Sequence, residues 1–256
     1  IVGLLILCSI IGLIASYEIN KMLPKNKITT SSEKIIFINI LLVTFLPLIL
    51  SIFIINEINA SSDILFSIYL TFISLAILIF VRAFTYKNQR FRNIGFWKFW
   101  IYVTFIGFGI AHFPLLYNHE SRGPNLTIMI IALTFTFDIF ALFVGKRFGK
   151  TKIFPSISPN KSLEGYIGGF LSLFPMLFLL QIIFDISSSF LTFFIVIIII
   201  SFSSLLGDLY ESYIKRLAKI KDSGSIIPGH GGILDRTDSI LSNIIVFYWI
   251  VIWLKI

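Results

Sequence analysis

Eight stretches of the chain are apolar almost without interruption, at residues 1–17, 35–55, 64–84, 94–113, 126–145, 166–184, 190–210 and 240–256. A helix needs about 20 mostly apolar residues to cross a bilayer. The strands of a membrane barrel would instead alternate polar and apolar positions, and these runs do not. The pattern predicts an all-α fold, a polytopic integral membrane helix bundle with about eight transmembrane helices. It reads as one membrane domain over 1–256, with N-terminal helices in 1–120 and a second group, joined by long polar connections, in 126–256.

Composition supports a lipid environment. Of 256 residues, 57% are hydrophobic and 13% charged, where a soluble domain carries about 25% charged residues. Mean hydropathy is +0.94. The 28 phenylalanines suit a lipid-facing surface. Cys8 is the sole cysteine, which excludes a disulfide framework and a cysteine-based zinc site. Residue 1 is isoleucine, so a preceding helix is left open. No basic segment stands before the first run, and a cleavable signal peptide is not expected.

Charge then orients the bundle. Nineteen of the 21 Lys and Arg residues lie in or beside the odd-numbered connections; Arg122 and Lys255 are the other two. The positive-inside rule puts the odd-numbered connections in the cytosol and both ends of the chain outside. Topology alone accounts for the lysines of the first and third connections. The fifth and seventh are also unusual in content. A basic face there attracts anionic headgroups, at about 1 kcal/mol per charge near the surface, and would attract a nucleotide.

Four features carry candidate chemistry. Asp138 sits inside the fifth run, about 9 Å from its cytosolic end at 1.5 Å per residue. An acid at that depth is costly and is a functional candidate, the alternative being a satisfied interhelical hydrogen bond. The following connection reads Gly145-Lys146-Arg147-Phe148-Gly149-Lys150-Thr151-Lys152, then Ser158-Pro159-Asn160-Lys161-Ser162-Leu163-Glu164-Gly165. Small residues admit a ligand close to the backbone, and the cations can neutralise phosphate. Gly149-Lys150-Thr151 resembles the end of a P-loop. One residue of the required spacing from Gly145 is missing, and a membrane helix precedes it, so that motif is rejected. Ser158 or Ser162 could cap the next helix, although Gly165 replaces the Glu of a capping box.

At the end of the seventh run, Asp208, Glu211, Ser212 and Lys215 share one helical face. Glu211 and Lys215 could form a plain ion pair worth a few tenths of a kcal/mol. The fourth feature is Lys221-Asp222-Ser223-Gly224 followed by Pro228-Gly229-His230-Gly231-Gly232-Ile233-Leu234-Asp235-Arg236-Thr237-Asp238. Asp238 as a helix N-cap would explain one of its aspartates, but not the pair with Arg236 and the glycines. Carboxylates arriving from several segments beside phosphate-binding cations suggest Mg²⁺, a hard ion that takes oxygen ligands and shares phosphates with one or two carboxylates.

Residues 212–238 resemble the signature of the phosphatidate cytidylyltransferase (CDP-diacylglycerol synthase) family: Ser-x-Ile-Lys-Arg, four residues, Lys-Asp-x-Gly, then Ile-Pro-x-His-Gly-Gly-Ile-x-Asp-Arg-Thr-Asp. Every fixed position is present. Asp138, Gly145-Lys146, Gly149-Lys150-Thr151 and Ser158-Pro159-x-Lys161-Ser162-x-Glu164-Gly165 are similar to the family too, with Asn160 where a second Lys is usual and Leu163 where Trp is usual. The resemblance covers the C-terminal half; the first 120 residues match only as generic membrane helices.

The resemblance implies a membrane nucleotidyltransferase of phospholipid biosynthesis that joins CTP to phosphatidate, giving CDP-diacylglycerol and pyrophosphate. On this reading 126–256 holds the catalytic helices and cytosolic loops. Asp208, Asp235, Lys215 and Arg236 are the catalytic candidates. Asp208 and Asp235 lead as metal ligands for Mg²⁺, followed by Asp238 and Asp138, and a second cation is left open. Lys161, Ser162, Ser212, Arg216, Lys221, Asp222, His230, Gly231 and Gly232 are the substrate-binding candidates. The expected partners are CTP, phosphatidate and membrane lipids, with no nucleic acid; a homodimer is left open. The expected location is a bacterial inner membrane with the active site facing the cytosol. The alternatives are a CTP-dependent polyprenol or lipid kinase and a membrane transporter. The transporter has no inverted repeat or matching pair of broken helices to support it.

Overall fold

A computed structural model of the chain describes residues 2–22, 95–186, 189–226 and 231–254. Its helices are α1 (Val2–Met22), α2 (Gly95–Tyr117), α3 (Gly123–Phe148), α4 (Leu163–Ile183), α5 (Phe190–Leu217) and α6 (Leu234–Leu254). Five of them, all but α2, are long and apolar enough to cross a membrane, and α2 holds a shorter apolar stretch at Phe105–Tyr117. The chain is a polytopic integral membrane protein built mainly of helices. The runs expected at 35–55 and 64–84 lie outside the described residues.

The all-α expectation misses one element. Between α3 and α4 the chain forms an antiparallel hairpin of β1 (Lys152–Phe154) and β2 (Ser158–Ser162), pairing Lys152 with Ser162 and Phe154 with Ser158. Leu163 N–H continues the pairing by donating to the Thr151 carbonyl at 2.9 Å. Polar backbone leaving a membrane helix must find partners, and the hairpin supplies them within the connection itself.

Two helix boundaries also move. α5 runs on through Lys215 and Arg216, whose charges suit the negative end of the helix dipole. α6 starts at Leu234, which puts Asp235 in its first turn and Asp238 one turn further on. Asp238 is therefore not the N-cap.

The described residues group into two compact units, residues 1–120 with 214–235 and residues 121–213 with 236–256. In the first, α1 packs on α2. Ala15 and Ile19 of α1 are buried, as are Tyr102, Ile106 and Ile110, which recur every four residues along α2. In the second, α3 and α4 lie against each other. A Cβ on Gly169 would come within 2.9 Å of the Phe137 carbonyl oxygen, and one on Gly165 within 2.7 Å of that of Ala141. Small residues that let backbones approach this closely are how membrane helices associate without a hydrophobic drive. A buried polar seam joins α3, α5 and α6: Asn243 Nδ2 donates to Thr134 Oγ1 at 2.9 Å and to Ser204 Oγ at 2.6 Å. Large apolar side chains such as Ile139, Phe143, Phe178 and Ile182 face outward, as a lipid-facing surface requires.

Candidate active site

In the second unit the candidates come from four elements. Lys161, near the end of β2, places Nζ 2.5 Å from Asp208 Oδ2 on α5. The other Asp208 oxygen accepts from the Ser212 hydroxyl at 3.3 Å, one turn along the same helix. Asp138 of α3 and Asp238 of α6 lie within electrostatic reach of Asp208 and of Lys161, and Ser239 reaches Asp138 through a side-chain hydrogen bond. Asp238 Oδ1 accepts from Ser239 N–H at 2.8 Å. Three carboxylates thus lie within electrostatic reach of one lysine.

The loop before α4 is held from below. Ser162 caps that helix, its hydroxyl oxygen accepting from Gly165 N–H at 3.2 Å. Capping is therefore the role the structure gives Ser162, although the capping-box Glu is absent. Glu164 accepts from the backbone N–H groups of Lys150 and Thr151, both at 3.1 Å. That clasp fixes the turn that follows Gly149.

The first unit holds a second constellation. Lys215 Nζ lies 2.5 Å from Asp235 Oδ1. Asp235 Oδ2 accepts from Ser223 N–H at 2.9 Å, from the Ser223 hydroxyl at 2.9 Å and from Gly232 N–H at 2.8 Å. Gly231 has φ +85, and a Cβ there would run into that same Asp235 oxygen. Gly231 and Gly232 therefore shape the turn that delivers Asp235. Arg216 donates to the Ile220 carbonyl at 3.2 Å, closing the end of α5. Arg216, Lys221, Asp222 and Arg236 are exposed. His230 lies outside the described residues.

Asp208 and Asp235, the leading metal candidates, belong to different units. Asp208 is engaged by Lys161 and Ser212, whereas Asp235 already receives four donors. Among the described residues no three His, Cys, Asp or Glu side chains form a metal-holding group. Mg²⁺ does not need one, because it commonly binds through one or two carboxylates and the substrate's phosphates. The hard oxygens of Asp208, Asp238 and Asp138 fit that ion in donor type.

The sequence reading misses one residue. Glu18, at the end of α1, is fully buried and accepts from the Ser223 hydroxyl at 3.0 Å, Ile233 N–H at 2.8 Å and Leu234 N–H at 3.0 Å. Its signal is the one that marks Asp138, an acid in an apolar helix, but the first apolar run ends at residue 17 and leaves Glu18 just outside.

The chain matches the cytidylyltransferase family over residues 2–254. It is similar to the phosphatidate cytidylyltransferase of Bacillus subtilis, 32% identical over 236 residues, covering 92% of this chain and 84% of that protein. It is also similar to the proteins of the same description from Thermotoga maritima, 38% identical over 159 residues (60% of this chain, 57% of the relative), and Staphylococcus aureus, 41% identical over 140 residues (54% and 52%). The chain thus spans little more than half the length of the Thermotoga and Staphylococcus relatives.

Proposed function

We propose that this chain, which belongs to the cytidylyltransferase family, transfers the cytidylyl group of CTP to phosphatidate, releasing pyrophosphate and leaving CDP-diacylglycerol in the membrane. The match to the Bacillus protein of that activity across 92% of the chain carries the reading. Neither the lipid-kinase nor the transporter alternative finds support in these similarities.

In this reaction a phosphate oxygen of the lipid bonds to the α-phosphorus of CTP, and the bond from that phosphorus to the bridging oxygen breaks. Pyrophosphate leaves with the electron pair. No covalent protein nucleophile is needed; positioning and charge neutralisation suffice. Lys215, held by Asp235, and Lys161, held by Asp208, are cations in fixed places that can exchange a carboxylate for a phosphate. Arg236, exposed at the start of α6, would meet the pyrophosphate end, and Arg216 and Lys221, also exposed, are further candidates to meet phosphate. Mg²⁺, held by Asp208 and Asp238 with Asp138 near, would supply further neutralisation of phosphate charge. The site faces the cytosol of a bacterial inner membrane, on the side that the basic connections mark.

Product analysis with labelled CTP tests this. Label in the α-phosphate should move to lipid, and γ label should leave only as pyrophosphate. EDTA should stop the reaction, and added Mg²⁺ should restore it. γ label on the lipid would make the protein a kinase and overturn the assignment.

A further inference from the structure

Glu18 lies in the N-terminal part of the chain, outside the motifs read from the sequence, yet the partners described for it are all in the 212–238 signature. A buried carboxylate is costly unless its charge is matched by donors. Glu18 meets three: the Ser223 hydroxyl and the N–H groups of Ile233 and Leu234, which open α6. The signature also leaves room for it. A Cβ on Gly224 would come within 2.7 Å of Glu18 Oε1, and one on Gly232 would press on both Glu18 oxygens and on the Ser223 hydroxyl. The Ser223 hydroxyl lies 3.0 Å from Glu18 and 2.9 Å from Asp235, and it has one proton to give. When that proton goes to Glu18, the Ser223 N–H still holds Asp235 at 2.9 Å, so Ser223 links Glu18 to Asp235 and its partner Lys215.

We infer that Glu18 is a positioning residue for the reaction, seated in a cradle that Gly224 and Gly232 leave open and holding the Ser223 loop and the start of α6 so that Asp235 presents Lys215 to phosphate. This inference rests on the proposed cytidylyl transfer. It gives the N-terminal helix a part in the site, and it gives Gly224 and Gly232 a structural purpose, leaving room for the Glu18 carboxylate.

Glu18→Gln keeps the size of the side chain but turns an amide N–H₂ toward groups that are themselves donors. Its kcat should fall on the order of tenfold or more, while the KM for CTP stays within about threefold, since the groups that bind substrate remain and only their alignment suffers. If Glu18→Gln cannot be purified folded, Ser223→Ala, which removes only the shared hydroxyl, carries the same kinetic expectation. The cradle is read separately by thermal melting in detergent. Gly224→Ala should lower the melting temperature when Glu18 is present and change it little in a Glu18→Ala background. A kcat within about threefold of the parent, or equal Gly224→Ala shifts in both backgrounds, overturns the inference. If the parent protein puts no α label on lipid, the cytidylyl reading fails, and the melting cycle still decides whether Glu18 occupies the cradle.

Discussion

The Lys161 ammonium and the Asp208 carboxylate, 2.5 Å apart, tie the hairpin between α3 and α4 to the acidic face of α5. Their side chains are 20% and 36% exposed. A pair that open to solvent contributes only about 0–1 kcal/mol to stability. On the proposed reaction, its value lies in what the lysine does when phosphate arrives.

Lys161→Ala should slow cytidylyl transfer about tenfold or more, because losing one preorganised charge contact to phosphate typically costs about 2–4 kcal/mol. Asp208→Asn should abolish turnover at saturating Mg²⁺ with the protein still monodisperse. Initial rates and melts on the same preparations check both. Near-normal rates in the two variants would remove this pair from the machinery.

The packing of α3 on α4 makes a stability prediction that is independent of catalysis. Gly169→Ala forces a methyl group toward the Phe137 ring and carbonyl, and overpacking of this kind costs about 1–3 kcal/mol. Gly3→Ala is the matched control, since a Cβ there meets nothing within 4 Å. Thermal melting should show a clear loss for the first and none for the second.

Orientation is open to direct labelling. With Cys8 replaced, a cysteine at Lys152 should react only from the cytosolic side, and one at Asn118 only from outside. The residues flanking these positions carry the basic asymmetry that orients the chain. Membrane-impermeant maleimide on intact and opened cells reads the answer. The reverse pattern would place the basic loops away from cytosolic CTP and overturn the assigned side.

Apolar patterning alone establishes the membrane class and the acids worth watching. Long unbroken apolar runs can be satisfied only by spanning helices. Asp138 and Asp208 stand out because a carboxylate in such a run is costly in any fold. The glycine-rich turn before Asp235 is legible as a motif, but not as a geometry. The partners emerge only in three dimensions. Lys215 meets Asp235, 20 residues on, a partner that its one-turn spacing from Glu211 does not reveal. Glu18 reaches Ser223 across 205 residues. Hydrogen bonds over such separations leave no local periodicity to read, because they depend on how helices and loops come together. The hairpin is hidden for a related reason. Ser158-Pro159-Asn160-Lys161-Ser162 has none of the alternation of a strand, and it is extended because its backbone pairs with 152–154. The start of α6 is set in the same way. Glu18 and Asp235 take up the N–H groups of Gly232, Ile233 and Leu234, so the helix begins before the apolar run does.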